Sequence, residues 1–293
     1  MNPYPPSSSP RGPGFPSGLF AGKTLAGKKG ERVMRWTALT YIGLLVVLPI
    51  LAISGETVKS GFRTILADLS RPEALASLKL TFLLAFTMIL ITSCMGTLTA
   101  WVMVRYPFRG KAVVNALIDL PFAIPTVVTG LMLVVLYGPA SAIGSFMNRN
   151  GVEVIYAKPG IVLALLYVTF PFVVRAVQPV LMEMNMEMEE AAACLGAGKW
   201  TIFKRIVFPS LLPSILTGAA QAFSKALGEF GSVVIVAGNI PMKTQIAPVY
   251  IYGEIESYNP SGALAVSLVL LAGSMIVLLL LNVARRVGTR YGA

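Results

Sequence analysis

Histidine is absent from this 293-residue chain. That absence excludes imidazole general-base catalysis, Ser-His and Cys-His nucleophile pairs, and His-ligated metal sites. Cysteine is nearly absent too. Cys94 lies in an apolar run and Cys194 in a charged segment, with no disulfide framework or metal-binding spacing, so both read as small packing residues. Charge is scarce: 13% of residues are Asp, Glu, Lys or Arg, against about 25% in a soluble domain. The apolar runs hold no carboxylate pair at a catalytic spacing, which argues against an intramembrane hydrolase. A phosphate-binding loop is also missing. "GLFAGKT" (Gly18–Thr24) has one residue too few between its glycines, and "GAGK" (Gly196–Lys199) is followed by Trp200 rather than Ser or Thr. The expectation is a non-catalytic chain that binds no nucleotide, metal or other cofactor itself.

What the chain has in abundance is apolar surface: 55% hydrophobic residues and a mean hydropathy of +0.74. Six runs approach the roughly 20 residues that cross a bilayer as a helix. They span 36–53, 80–104, 120–138, 159–174, 211–237 and 258–284, and only the fifth carries charge, at Lys225 and Glu229. Open strands leave backbone groups unpaired in lipid, so each run is expected to be helical. The fold class is therefore an all-α polytopic membrane protein of six transmembrane helices, with the membrane domain over 36–284.

An even number of crossings puts both termini on one side, and lysine and arginine choose that side. Arg11, Lys23, Lys28, Lys29, Arg32 and Arg35 precede the first run. Arg105, Arg109 and Lys111 fill the second connection, Arg175, Lys199, Lys204 and Arg205 the fourth, and Arg285, Arg286 and Arg290 the C-terminal end. The other side holds only Lys59, Arg63, Arg71, Lys79, Arg149, Lys158 and Lys243. Both termini are expected in the cytoplasm. The net charge of +11 is then an orientation signal and requires no nucleic acid. Residues 1–35, opening "NPYPPSSSPRGPGFPSG", read as a disordered cytoplasmic tail. No apolar signal-peptide core precedes the first run, which reads as an uncleaved anchor; residues 285–293 read as a cytoplasmic C-terminal tail.

The longest cytoplasmic connection, about 175–210, contains "EEAAACLGAGKWTIFKRIVFP" (residues 189–209). The preceding "LMEMNMEME" alternates as a strand would, but Leu, Met and Glu are strong helix formers and no partner strand is evident. Acids followed by alanines begin a helix, Gly196 and Gly198 suit a left-handed helix end, and Pro209 and Pro213 punctuate entry to the next run. The segment reads as helix, turn, helix.

The spacing Glu190-Ala191-Ala192, then Gly196, Ile206 and Pro209, resembles the EAA loop of the permeases of bacterial ABC importers (about 183–209 here). Phe208 stands where the pattern has Leu, keeping an apolar side chain. "DLPFAIPTVVTGL" (Asp119–Leu131), "FPFVVRAVQPVL" (Phe170–Leu181) and "LGEFGSVVIVAGNI" (Leu227–Ile240) resemble the T-type permease subunit of sulfate/thiosulfate importers. The resemblance implies the type I importer permease fold and a short helix that docks on a cytoplasmic ATPase. It also implies partners: a W-type permease subunit, two ABC ATPase subunits that hydrolyse ATP with Mg, and an extracytoplasmic sulfate-binding protein. A molybdate/tungstate-type permease shares the Gly-Glu-Phe-Gly portion and is the near alternative. An ion-coupled secondary transporter would require an internal repeat, and none is visible.

An anion crossing lipid needs polar lining. The fifth run offers Gln221, Ser224, Lys225 and Glu229 as pathway or gate candidates, with Lys225 and Glu229 on one helical face. Mutual neutralisation in a packed interface is the plain alternative for that pair. Asp119 is expected at the cytoplasmic entrance of the third run, where Pro121 and Pro125 bend the helix as a kink or a hinge. "GNIPMKT" (Gly238–Thr244) is expected in an outer loop, as a proline turn or a docking element.

Overall fold

The computed structural model describes residues 28–52, Gly55 and 61–290. The tail expected over residues 1–35 therefore falls outside the described residues as far as residue 27. The chain divides into two units, Met1–Gly55 and Glu56–Ala293. In the first, helix α1 (Lys28–Ile42) continues through a π turn over Gly43–Val47. Its Glu31 and Arg35 form an exposed pair one turn apart, at 2.8 Å.

The second unit is helical throughout its described residues. A short helix α2 (Phe62–Leu69) leads into α3 (Pro72–Arg105), a single helix of 34 residues. Next come α4 (Lys111–Ala123), α5 (Thr126–Tyr137) and α6 (Ala142–Arg149). Helix α7 (Lys158–Glu183) is followed by the small α8 (Met186–Cys194). Helix α9 (Lys199–Leu227) contains a π turn at Phe203–Val207. Two short helices, α10 (Gly231–Val236) and α11 (Ala247–Glu256), precede α12 (Pro260–Arg290). Five described helices are long and apolar enough to cross a membrane, and six if α4 and α5 count as one broken span.

The side-chain contacts set the directions. Thr169 donates to the Met88 sulfur at 2.9 Å, and Arg105 lies 3.6 Å from the Met184 sulfur. Helices α3 and α7 therefore run parallel, and residues 106–157 must cross back between them. Helix α9 runs the other way, with Gly218 against Val173 and Val207 among the residues packed around Leu181. Helix α12 is parallel to α3, with Val266 beside Ala74 and Leu78, and Gly273 beside Phe82.

Val173 is the point where three helices close. A Cβ on Gly96 of α3 would lie 2.8 Å from the Val173 Cβ, and one on Gly218 of α9 would lie 2.7 Å from its Cα. Lipid tails are as apolar as leucine, so helices in a bilayer are held by close van der Waals contact, and small residues permit it. Large residues such as Leu90, Ile276 and Leu279 instead stay exposed on the bundle surface.

Several spans differ from the sequence expectation. The third run is broken: α4 and α5 meet at a 115° bend. Pro121 inside α4 and Pro125 at the N-cap of α5 remove two consecutive chances to continue the backbone ladder. The fourth helix does not stop at Val174 but continues to Glu183. Arg175 thus belongs to a span and not to the connection, because its charge is compensated inside the bundle. The fifth run ends at Leu227; Gly228 caps it, and Gly231–Val236 forms a separate helix. At about 9 Å of rise, six residues cannot cross a bilayer. The last helix extends to Arg290, so the 285–293 segment begins as its continuation.

Candidate functional site

The ends of α3 and α7 bring the "EEAAACLGAGKW" segment to one end of the bundle. Asn185 starts α8 by accepting from the Glu187 N–H at 2.9 Å, an N-cap that satisfies an otherwise orphaned donor. The helix stops at a Schellman turn, where the Ala197 N–H donates to Ala192 O at 3.0 Å and the Gly196 N–H to Ala193 O at 2.9 Å. That turn needs a left-handed residue, and Gly196 supplies φ +87°; Gly198 is extended. Helix α9 then begins at Lys199. Its π turn lies just before Pro209, which has no N–H to offer the Arg205 carbonyl. Glu190 and Ala191 are exposed, Ala192 and Ile206 half-buried. Leu195, just past α8, and Trp200, in the first turn of α9, are also strongly exposed.

This loop is fixed to the spans by contacts between residues far apart in sequence. Arg105, the last residue of α3, pairs with Glu189 of α8 and stacks over the Trp101 ring at 5.1 Å. Phe203 meets Trp101 edge-on at 6.1 Å and Trp200 face-on at 5.6 Å. The ion pair thus ties α8 to α3, and the aromatic cluster ties α3 to the start of α9.

A second charged site lies within the bundle. Arg175 of α7 grips Asp119 of α4 with two bonds, Nε to Oδ1 at 2.7 Å and Nη2 to Oδ2 at 2.6 Å. It also donates to the Gln178 side-chain oxygen at 2.7 Å and to the Asn115 backbone carbonyl at 3.1 Å. Asp119 lies within α4, two residues before Pro121. Arg175 faces a cavity of about 340 Å³ whose other walls include Ser214, Thr217 and Gln221 of α9. Gln221 also lines, with Ser224 and Asn282, a neighbouring cavity of about 270 Å³. Two of the expected pathway residues, Gln221 and Ser224, thus line cavities of mixed polar and apolar walls.

The other two are brought together differently. Lys225 Nζ lies 2.9 Å from Glu229 Oε2, and Glu229 is 1% exposed. The Glu229 Oε1 also accepts from the Ser232 N–H at 3.1 Å and its hydroxyl at 3.0 Å. Glu229 therefore caps the start of α10, and neither residue lines the two cavities above. At the opposite end of the bundle from α8, in α11, burial and the Glu254 carboxylate push the Tyr250 phenol up to about 12, so it stays a hydrogen-bond donor. Residues Gly238–Thr244 form a tight loop there, where Thr244 donates to Ala237 O at 2.6 Å.

Sequence reasoning missed both long-range arginine pairs. Arg175 was hidden because the apolar run stops at Val174, nine residues before the helix ends at Glu183. An available signal was the isolated Asp119 and Arg175, opposite charges flanked by apolar helix formers.

Membrane-length helices, parallel and antiparallel, with a helix–turn–helix at one end make this an all-α polytopic membrane fold. Residues 92–289 match the family described as binding-protein-dependent transport system inner membrane component, and the chain belongs to that family. A relative from Synechocystis, named sulfate transport system permease protein CysT, is 42% identical over 86% of this chain and 88% of its own length. A relative from Chlorokybus atmophyticus, named probable sulfate transport system permease protein cysT, is 41% identical with the same coverage. Among solved structures, a bacterial ABC transporter that imports alginate matches with a TM-score of 0.72, covering 87% of this chain and 94% of that one at 16% identity. The same kind of importer, in complex with its alginate-bound periplasmic protein, matches at 0.73 and 17% identity, covering 88% and 94%. These two likenesses concern the fold.

Proposed function

We infer that this chain is the T-type transmembrane subunit of an ATP-driven importer that carries sulfate, and thiosulfate with it, into the cytoplasm. The observation that carries the coupling is the capped helix α8 with Glu190 and Ala191 exposed and Leu195 and Trp200 uncovered beside it. Exposed large apolar side chains outside the lipid mark a surface meant for a partner. That partner is one of two ABC ATPase subunits, which bind and hydrolyse ATP with Mg; Glu190, Ala191, Ala192 and Gly196 form the contact, and Ile206 and Pro209 set the entry to α9. The sulfate assignment rests on the names of the relatives.

The complex is completed by a W-type permease subunit and an extracytoplasmic sulfate-binding protein. The α8 end of the bundle, with Arg109, Lys111, Lys199, Lys204 and Arg205, faces the cytoplasm, as do both termini. Gln221 and Ser224 line the route, and the Lys225–Glu229 pair holds α10 beside it. The test is reconstitution of the complete complex with its binding protein in liposomes. ATP-dependent uptake of radiolabelled sulfate, suppressed by excess thiosulfate, is the expected result. Uptake of molybdate or tungstate with no sulfate transport would overturn the substrate assignment.

A further inference from the structure

The Arg175 guanidinium has five N–H groups, and Asp119, Asn115 and Gln178 between them engage all five. Nevertheless it is accessible: it lines a cavity walled by Phe122, Phe172 and Ala176 as well as by Ser214, Thr217 and Gln221, and the arginine and aspartate side chains are 33% and 49% exposed. A fully paired arginine facing a cavity is a site occupied by an internal ligand. A guanidinium fork fits a carboxylate and a tetrahedral oxyanion with the same two parallel bonds. We propose that the Nε/Nη2 edge of Arg175 is an oxyanion subsite on the transport route, and that Asp119 is its removable internal plug. The proposal rests on the oxyanion-importer reading above and gives it a residue.

The geometry supports exchange rather than a static brace. About 340 Å³ has room for several waters at about 30 Å³ each, and so for one tetrahedral oxyanion. The Gln221 amide supplies donors from the opposite wall. The Ser214 and Thr217 hydroxyls now donate to the Leu211 and Pro213 carbonyls, each at 2.7 Å, and can turn into the cavity. Asn115 and Gln178 keep the guanidinium aimed when Asp119 leaves. Asp119 sits two residues before Pro121 and four before the end of α4 at Ala123. Proline deprives the Leu117 carbonyl of its helical donor, which loosens this last turn. Electrostatics favours the exchange and keeps it transient. A dianion interacts with the guanidinium more strongly than a single carboxylate does, and it repels the displaced Asp119, which returns to expel it. Release of Asp119 also removes two of the four bonds that tie Arg175 of α7 to α4, leaving those of Asn115, next to the 115° bend, so occupancy and movement of the broken span are linked.

The test uses the complete complex in lipid nanodiscs, without the binding protein, and equilibrium binding of radiolabelled sulfate. Asp119→Asn removes the competing charge while keeping the shape, and is expected to tighten sulfate binding about tenfold, the value of one hydrogen bond to a charged group. Arg175→Gln is expected to weaken it by at least that factor. The charge exchange Asp119→Arg with Arg175→Asp separates a subsite from a brace. It should restore assembly of the complex, read by gel filtration, without restoring uptake. Unchanged sulfate affinity in Asp119→Asn, or full uptake by the exchanged pair, overturns the subsite. If Asp119→Asn tightens molybdate but no form binds sulfate, the subsite stands and the sulfate assignment falls. If sulfate uptake proceeds normally in both single variants, the importer reading stands and the subsite falls.

Discussion

Two arginines, 70 positions apart in number and both in spans, hold carboxylates in different ways. Arg105 and Glu189 are 12% and 19% exposed, and Arg175 and Asp119 are 33% and 49% exposed. Arg105 makes one ion pair, stacks on Trp101, and leaves its buried Nε without a partner. Arg175 has all its donors engaged but stands next to a cavity. In low dielectric, a pair that cannot be replaced by water is costly to open even when few bonds hold it. Beside an open cavity, many bonds can be exchanged one for another at lower cost. The first pair is suited to transmit force from α8 into α3, and the second to give way.

Breaking the dry pair should have the largest effect. Glu189→Ala leaves Arg105 charged and without its carboxylate; removing one member of a fully buried pair costs about 3–5 kcal/mol, and this part-buried pair, at 12% and 19% exposure, should lose less than that. Sulfate uptake and complex yield should both fall, and denaturant titration of the complex should show the loss; parental stability would make the pair ornamental. Next comes the packing beside the second pair. Gly218→Val places atoms against the Val173 backbone, and overpacking costs about 1–3 kcal/mol. Here uptake and ATPase activity should decline together with assembly, since neither arginine is touched. A variant that assembles fully yet loses only uptake would show that packing and coupling are separable there.

Lys225→Met sharpens the contrast on a third pair. Glu229 would keep only its two bonds from Ser232, at a cost of about 1–3 kcal/mol. The expected readout is reduced uptake with greater protease sensitivity near α10; parental values for both would detach the pair from the mechanism. The smallest effect belongs to Arg35→Ala. It removes an exposed pair whose members are 74% and 56% accessible, and exposed pairs contribute about 0–1 kcal/mol. Uptake by that variant should equal the parent's.

The comparison also explains what the sequence made legible. Hydropathy marks spans because lipid demands apolar surface whatever the tertiary arrangement, so the membrane class and the number of runs could be read directly. The α8 segment could be read because its signals are local: Asn185, the alanines and Gly196 act within one turn of each other. Breaks inside apolar runs were harder. Gly228 and Glu229 end α9 through a side chain reaching forward to Ser232, and composition alone does not show that reach. The arginine pairs were hidden for a different reason. Glu189 and Asp119 join partners on other helices, and such contacts follow from helix direction and register, which hydropathy does not encode.

The central claim is that α8 passes work from an ATPase to the spans. The most direct measurement is the ratio of sulfate imported to ATP hydrolysed by the reconstituted complex, with the parent chain and with Glu190→Lys. Glu190 is exposed and belongs to neither the Arg105 nor the Arg175 pair, so reversing its charge alters the docking surface while leaving the bundle intact. The account predicts continued ATP hydrolysis and a ratio lowered about tenfold or more, the effect of losing roughly 1.4 kcal/mol or more of coupling. A ratio equal to the parent's, with uptake and hydrolysis both intact, would contradict it.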